Sequence, residues 1–128
     1  MNVFDVAGRA MSAQMVRLNT TASNLANART DYASEEEAFR AMRPVFRSVV
    51  EDNLATVDVE RIVQTDAAPQ KRYDPTSPIS DEEGYVWEAA VDETAELIDM
   101  LETARNYQNN VQVMQTAKSL ILETVRNQ

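Results

Sequence analysis

Residues 92–125 read DETAELIDMLETARNYQNNVQVMQTAKSLILETV, a stretch that contains neither Gly nor Pro. Asp92 is a residue type that caps helix N-termini, and acidic side chains follow in the first turns, where the helix dipole favours anions. Apolar side chains recur every seven residues in two adjacent rows, the first being Leu97, Ala104, Val111 and Val125 and the second Met100, Tyr107, Met114 and Ile121. This pattern predicts a long C-terminal helix with an apolar seam that another helix must cover.

The N-terminal segment, from Val3 to about Ala28, shows the same seven-residue period and contains no Pro. Gln14 and Thr21 interrupt its seam where a strong zipper would carry Leu. The apolar seam positions are Phe4, Met11, Leu18 and Leu25. We therefore expect a second long helix. Each end of the chain thus supplies a seam, and little else in the chain could cover both.

The middle of the chain changes period. Residues 43–50 and the β-branched positions 57–63 predict two strands, and residues 51–53 predict the turn of a β-hairpin. Residues 65–84 contain three Pro and predict an extended arm. The predicted fold class is mainly α, with two long terminal helices that pair as a coiled coil and a small β-hairpin and extended arm between them. The predicted division is residues 1–31 and 91–128 as the coiled-coil core and residues 32–90 as an acidic outward segment.

The charge of the chain is concentrated in this middle segment. The net charge is −9, of which residues 32–90 carry −7, residues 91–128 carry −3 and residues 1–31 carry +1. Because there is no basic stripe, we expect no binding to nucleic acid or to an anionic membrane surface. Leu, Ile, Val and Phe make up only 28 of the 128 residues. The core is therefore expected to be thin, and the isolated monomer only marginally stable and at least partly unfolded.

Composition also argues against catalysis. The chain has no Cys and no His, which excludes disulfides, Cys/His zinc sites and thiol nucleophiles. The carboxylates at 35–37 and 81–83 stand beside turns, where we expect them to be solvated rather than to act as an acid–base pair or a metal site. We predict no catalytic, cofactor-binding or metal-binding residue and no enzyme. The start lacks a signal-peptide pattern, and no apolar run is long enough to cross a bilayer, so direct membrane insertion is not expected.

Side-chain amides on the helices offer a second kind of contact. Asn24 and Asn27 close the first helix, and Asn110 lies in the middle of the last. These amides could simply face water or end a helix, or they could cross-link neighbouring helices and fix their register. We predict an assembly interface in which these three residues fix register and the packing residues are Leu18, Leu25, Tyr107, Val111, Met114 and Ile121.

At these residues the chain resembles the rod proteins of the bacterial flagellar basal body, most closely the FlgC family of proximal rod proteins. The resemblance runs from Phe4 to near the C-terminus. It is carried by the segments FDVAG (4–8), ASNLANA (22–28), YDP (73–75), GYV (84–86) and ARNYQ (104–108). The loop at 29–38 departs from the family, which commonly carries a Gly- and Pro-containing turn there.

The resemblance implies a structural subunit of the proximal rod, the hollow shaft that transmits torque from motor to hook. In the family, the terminal helices pair as a coiled-coil layer around the export channel and stack with neighbouring subunits. The implied partners are copies of the chain itself, other rod proteins and the flagellar type III export apparatus. The implied location is the rod of the basal body, in the periplasmic space, reached without a cleaved signal peptide.

Two other functions remain open from the sequence. One is another flagellar axial protein, although the lack of a large insertion between residues 30 and 90 argues against a distal-rod or hook protein. The other is a cytoplasmic helical adaptor or export chaperone, which should fold and oligomerise by itself.

Overall fold

The structure of the chain, a computed structural model, describes residues 1–127. Within these residues two long helices lie at the ends and five strands lie between them. In chain order the elements are α1 (Val3–Asn27), β1 (Asp31–Tyr32), β2 (Met42–Glu51), β3 (Leu54–Gln64), β4 (Gln70–Tyr73), β5 (Tyr85–Glu88) and α2 (Glu93–Arg126). β2 and β3 form a two-stranded sheet, and β1, β5 and β4 form a three-stranded sheet with β5 in the centre.

The predicted fold class, a mainly α chain built as a coiled coil, is wrong. Strands account for 26% of the chain and form two antiparallel sheets, although both terminal helices are present. The largest error concerns residues 65–84, which were expected to form an extended arm. Instead β4 pairs with β5. β4 reads Gln-Lys-Arg-Tyr, and this polar sequence becomes a strand because of its pairing partner rather than its own composition.

The two helices lie antiparallel, and each begins at a cap. Asn2 and Asp5 form a reciprocal capping box at the start of α1, and Asp92 accepts a hydrogen bond from the Ala95 backbone N–H at the start of α2. Arg29 at the end of α1 lies 3.0 Å from Glu93 at the start of α2. The end of α1 therefore lies beside the start of α2, and the two helices lie side by side with opposite chain directions.

The hairpin formed by β2 and β3 packs against α1. Its two-residue loop is Asp52-Asn53, with φ of 50° and 66°, as a type I′ hairpin turn requires. Thr56 is buried and donates a hydrogen bond to the Val6 carbonyl of α1 at 2.9 Å. The predicted hairpin is thus confirmed, with longer strands than the sequence indicated.

The three-stranded sheet closes around a tight turn before β5. Gly84 has a φ of +88°, and a Cβ there would lie 2.9 Å from the Tyr73 ring and 3.2 Å from Pro75. Asp81 accepts backbone hydrogen bonds from Glu83 and Tyr85, both at 2.9 Å. Only Gly fits this turn without strain.

The buried part of the described chain is small. Its hydrophobic members are Ala7, Ala13, Ala38, Ala41, Val86, Ala89 and Ala90. The accessible surface is 8610 Å², whereas a compact monomer of 14.4 kDa would expose about 6,800 Å². The excess, roughly 1,800 Å², is about twice the area that one partner buries in a standard protein–protein interface.

Candidate assembly site

The two helices are joined by a buried polar cluster rather than by large apolar side chains. Asn24 of α1 is fully buried, and its amide donates hydrogen bonds to the Met42 carbonyl at 2.9 Å and to Glu96 Oε2 at 3.1 Å. Its carbonyl oxygen accepts from the Met42 N–H at 2.9 Å. One side chain therefore ties α1 to both the hairpin and α2.

Glu96 of α2 is the charged centre of this cluster. Its side chain is only 1% exposed, and Arg43 of β2 forms an ion pair with its Oε1. A buried carboxylate is costly unless it is paired and hydrogen-bonded. Arg43 and Asn24 supply the charge and the hydrogen bond that Glu96 needs.

A second charged contact lies one turn further along the helices. Arg17 of α1 contacts both carboxylate oxygens of Asp99, and Thr21 donates a hydrogen bond to Asp99 Oδ2 at 2.9 Å. Partial burial alone would raise the pKa of the Asp99 carboxyl, but the hydrogen bonds from Arg17 and Thr21 and the charges of Arg17 and Arg43 outweigh it. The net result is a pKa below the ordinary value for Asp.

These contacts fix the register of α1 against α2. The other buried residues on the two helices are small, namely Ala7, Ala13, Thr20 and Thr103. Small and hydrogen-bonded side chains hold the helices at one register, while the larger apolar side chains between the helices are only half-buried. The helix pair therefore leaves part of its apolar surface uncovered.

The predicted interface residues fall into three groups. Asn24 is buried inside the chain, as described. Ile121 is 48% exposed. The others are half-buried, and they are Leu18, Leu25, Asn27, Tyr107, Asn110, Val111 and Met114. Asn27 donates a hydrogen bond to the Ser23 carbonyl of its own helix at 2.8 Å.

The last turns of α2 extend beyond α1. Counted from the contact between Thr21 and Asp99, α1 runs about 27 Å to Val3, whereas α2 runs about 40 Å to Arg126. Ala117 is half-buried, and every described residue after it is exposed. We call residues 118–126 the C-terminal overhang. Its exposed apolar side chains are Leu120, Ile121, Leu122 and Val125.

Two open grooves meet on the N-terminal half of α1. One, of about 330 Å³, lies between the helices and is lined by Gly8, Ser12, Met11, Met15, Tyr107 and Met114. The other, of about 610 Å³, lies toward the hairpin tip and shares Gly8 and Ser12 with the first. Tyr107 and Met114, which the sequence predicts as packing residues, thus line the apolar groove.

Sequence reasoning missed most of the polar cluster. Arg17, Thr21, Glu96 and Asp99 were not singled out as partners, and Arg43 was assigned only to a strand. A usable signal was present, because Arg17, Thr21 and Asn24 fall on one face of α1 and Glu96, Asp99 and Thr103 fall on one face of α2. Matching polar faces on two helices indicate a polar contact between them.

Within residues 1–127, no group of three or more carboxylates is arranged to hold a metal ion. Over the same range, neither helix has a stretch that is long and apolar enough to cross a membrane.

The fold and the site together define a class of protein: a chain whose two long terminal helices flank a β region in sequence and leave large apolar side chains exposed. Comparison with known proteins shows that the chain is similar to proteins of the flagellar basal body. Residues 4–31 match the family model for flagella basal body rod protein. Residues 82–126 match the model for the flagellar basal body rod FlgEFG protein C-terminal region.

Full-length relatives narrow this class to one family. The flagellar basal-body rod protein FlgC of Yersinia enterocolitica is 39% identical over 98% of the chain and 95% of the relative. The FlgC protein of Escherichia coli O6:H1 is 38% identical over the same shares, and that of Aquifex aeolicus is 32% identical over 96% and 92%. The chain belongs to the FlgC family of flagellar basal-body rod proteins. It is a structural rod protein of the flagellar basal body.

Proposed function

We propose that the chain joins copies of itself and other rod proteins through its terminal helices, building the hollow shaft that transmits torque for motility. The observation that carries this proposal is the apolar surface that the helices leave uncovered. On α2 alone, Leu97, Leu101, Leu120 and Val125 are between 51% and 72% exposed. Large exposed apolar patches on soluble proteins mark interaction sites.

We propose different roles for the terminal and middle segments of the chain. Residues 1–31 and 91–128 form the core of the assembly, and residues 32–90 project outward; residue 128 lies outside the described part. The acidic charge of the outward segment suits a solvated surface. Both family models cover terminal helices, and neither covers the hairpin.

The proposed interface keeps the predicted residues, with two kinds of role. The packing residues contact neighbouring subunits with their exposed parts, and they are Leu18, Leu25, Tyr107, Val111, Met114 and Ile121. Asn27 and Asn110 are proposed to fix register between subunits. Asn24 acts indirectly, because its hydrogen bonds are made within the chain and set the position of α1 for the others.

We further propose that the chain is not an enzyme, and that the flagellar type III apparatus exports it without cleaving a signal peptide. A thin core supports this route, since a marginally stable chain unfolds readily before passage through a narrow channel. The relatives compared above carry the name of one rod protein, which favours the rod over the cytoplasmic adaptor.

Replacing Ile121 tests the proposal in cells that lack the native gene. Because Ile121 is 48% exposed in the single chain, Ile121→Asp leaves the monomer intact but places a charge in the proposed interface. We expect the chain to disappear from purified basal bodies and the cells to stop swimming. Leu25→Asp and Val111→Asp should have the same effect, but these half-buried positions also support the helix pair.

Gln112→Asp is the matched control, because Gln112 is an exposed polar residue on the same helix. This variant should support swimming as the unchanged chain does. Normal incorporation and swimming with Ile121→Asp would contradict the proposal.

A further inference from the structure

The C-terminal overhang carries a mixed apolar and basic face. Successive residues of a helix are about 100° apart around its axis. On this basis Ile121, Val125, Lys118, Leu122 and Arg126 share an arc of roughly 140°. The acidic residue of the overhang, Glu123, falls outside this arc. Ile121, Leu122 and Val125 are 48%, 53% and 63% exposed and form an apolar patch of the kind that marks interaction sites.

A complementary surface lies on the same chain at the other end of α1. We call it the Gly8 face, formed by Gly8 and Ser12 and the two grooves that flank them. The groove between the helices is apolar because methionine and tyrosine side chains line it. The groove toward the hairpin carries the carboxylates Asp5, Glu51 and Asp58 and one guanidinium, Arg9.

The carboxylates of the second groove are only weakly neutralised. The N-terminal amine lies 3.9 Å from Glu51, Arg9 lies 3.9 Å from Asp58 and Arg47 lies 3.8 Å from Asp58. Ion pairs of this length at a partly exposed carboxylate hold their partners loosely. The groove can therefore accept further basic side chains.

Gly8 itself has no role that the single chain explains. It lies inside a 25-residue helix, where Gly is less favourable than Ala, and a Cβ built on it would meet no atom within 4 Å. Within the chain, Ala would be the better residue. A Gly at this position fits instead with the close approach of another backbone.

We propose that the C-terminal overhang of one copy docks on the Gly8 face of a second copy. Ile121, Leu122 and Val125 enter the apolar groove, and Lys118 and Arg126 reach toward the carboxylates. This proposal rests on the proposed function and names the surface that the overhang meets. The overhang cannot bind the groove of its own chain, because Tyr107, Met114 and the overhang belong to the same rigid helix.

The docking has a consequence for symmetry. The overhang and the Gly8 face are different surfaces, so the contact is heterologous, and a docked pair keeps one free overhang and one free Gly8 face. Heterologous contacts generate rings if they close on themselves and helical assemblies if they do not. A continuous shaft needs contacts of this kind.

Cysteine cross-linking in swimming cells tests the docking, since the chain contains no Cys of its own. In a chain with both Ser12→Cys and Leu122→Cys, docking brings the two positions of different copies together. Oxidation should then give disulfide-linked multiples of the chain in purified basal bodies, because a disulfide requires Cα atoms within about 7 Å. The matched control is Ser12→Cys with Glu123→Cys, whose second thiol points away from the docking face and should give no multiples.

Gly8→Leu provides a second, independent measurement. Leu is a good helix former, so circular dichroism of the purified chain should show unchanged or increased helicity. In cells the bulky side chain should block the overhang, with loss of the chain from basal bodies and loss of swimming. Unchanged incorporation of Gly8→Leu would overturn the docking.

The outcomes separate this inference from the proposed function. If the cysteine variants swim and reach the basal body but form no self-linked multiples, the docking is overturned and the proposed function stands. A disulfide product of another mass means that a different protein with a thiol of its own fills the groove, which also overturns a second copy as the occupant. If the unchanged chain itself is absent from purified basal bodies, the proposed function fails and the docking fails with it.

Discussion

The helix pair and the three-stranded sheet bury opposite kinds of side chain. In the sheet, Val86 of the central strand is fully buried and its neighbours pair through their backbones. In the helix pair, the fully buried side chains are Thr21, Asn24, Glu96 and Thr103, while the large apolar side chains are half-buried or exposed. The sheet thus closes on its own contacts. The helices acquire a fixed register but keep apolar surface for neighbours.

This difference explains how the chain can fix the register of its own helices and still keep apolar surface for binding. Buried polar groups add little net stability, but they allow only arrangements in which every partner is satisfied. Asn24, Glu96 and Arg43 therefore select one position of α1 on α2. In the proposed assembly, the exposed apolar side chains, which would tolerate sliding, make the contacts between subunits.

The largest expected effect comes from breaking the charged centre of the helix pair. Arg43→Met leaves the buried Glu96 carboxylate without its cation, which should lower the free energy of unfolding by about 3 kcal/mol. Thermal unfolding of the purified chain, followed by far-UV circular dichroism, measures this loss. Arg47→Met is the control, because Arg47 is 64% exposed and its ion pair to Asp58 spans 3.8 Å, so the change should stay within about 0.5 kcal/mol.

A somewhat smaller loss of stability is expected when the side-chain amide of Asn24 is removed. Asn24→Leu removes three hydrogen bonds and leaves the backbone N–H and carbonyl of Met42 without the Asn24 partner. The free energy of unfolding should fall by about 2 kcal/mol. Denaturant unfolding of the purified variants measures this change in the free energy of unfolding. Asn19→Leu changes an exposed amide on the same helix and should be nearly neutral. Equal stability of the two variants would mean that Asn24 does not hold the helices in register.

The two glycines of the chain provide a matched pair, one in each region. Gly84→Ala forces a Cβ into the turn before β5 at positive φ and should destabilise the chain by roughly 1–2 kcal/mol. Gly8→Ala adds a better helix former in open space and should stabilise the monomer by up to about 1 kcal/mol. Melting temperatures of the purified proteins should therefore move in opposite directions. A stabilising Gly84→Ala would contradict the description of that turn.

The smallest effect is the pH dependence of the helix pair. Because the folded-state pKa of Asp99 is depressed, its contribution is fully present above the unfolded-state value near pH 4 and is lost as pH falls through the folded-state pKa. Unfolding free energies measured between about pH 6 and pH 3 should decline more steeply for the unchanged chain than for Asp99→Asn. Parallel profiles would show that Asp99 is not coupled to Arg17 and Thr21.

Local chemistry made several elements predictable. Asp92 caps the N-terminus of α2, and no Gly or Pro interrupts that helix before Arg126. The β-branched residues around Val57 favour the strand that is observed there. The Asp52-Asn53 loop follows from turn chemistry. In each case the deciding residues lie within a few positions of the element that they form.

The misses have a common physical cause, which is dependence on distant partners. β4 is a strand only because β5 lies beside it. Glu96 is buried because Arg43 and Asn24, more than fifty residues away in sequence, supply its charge and hydrogen bond. Heptad spacing indicated which faces of the helices meet, but it did not reveal that the fully buried side chains on those faces would be polar.

Hydrogen exchange of the C-terminal overhang tests most directly the claim that a single copy leaves this surface uncovered. In the free chain at low concentration, the amides of residues 118–126 should exchange much faster than those of the paired strands in the hairpin. In purified basal bodies the same amides should become protected, because neighbouring subunits then cover the helix. Strong protection of residues 118–126 in the dilute free chain, or none in the assembled rod, would contradict the account.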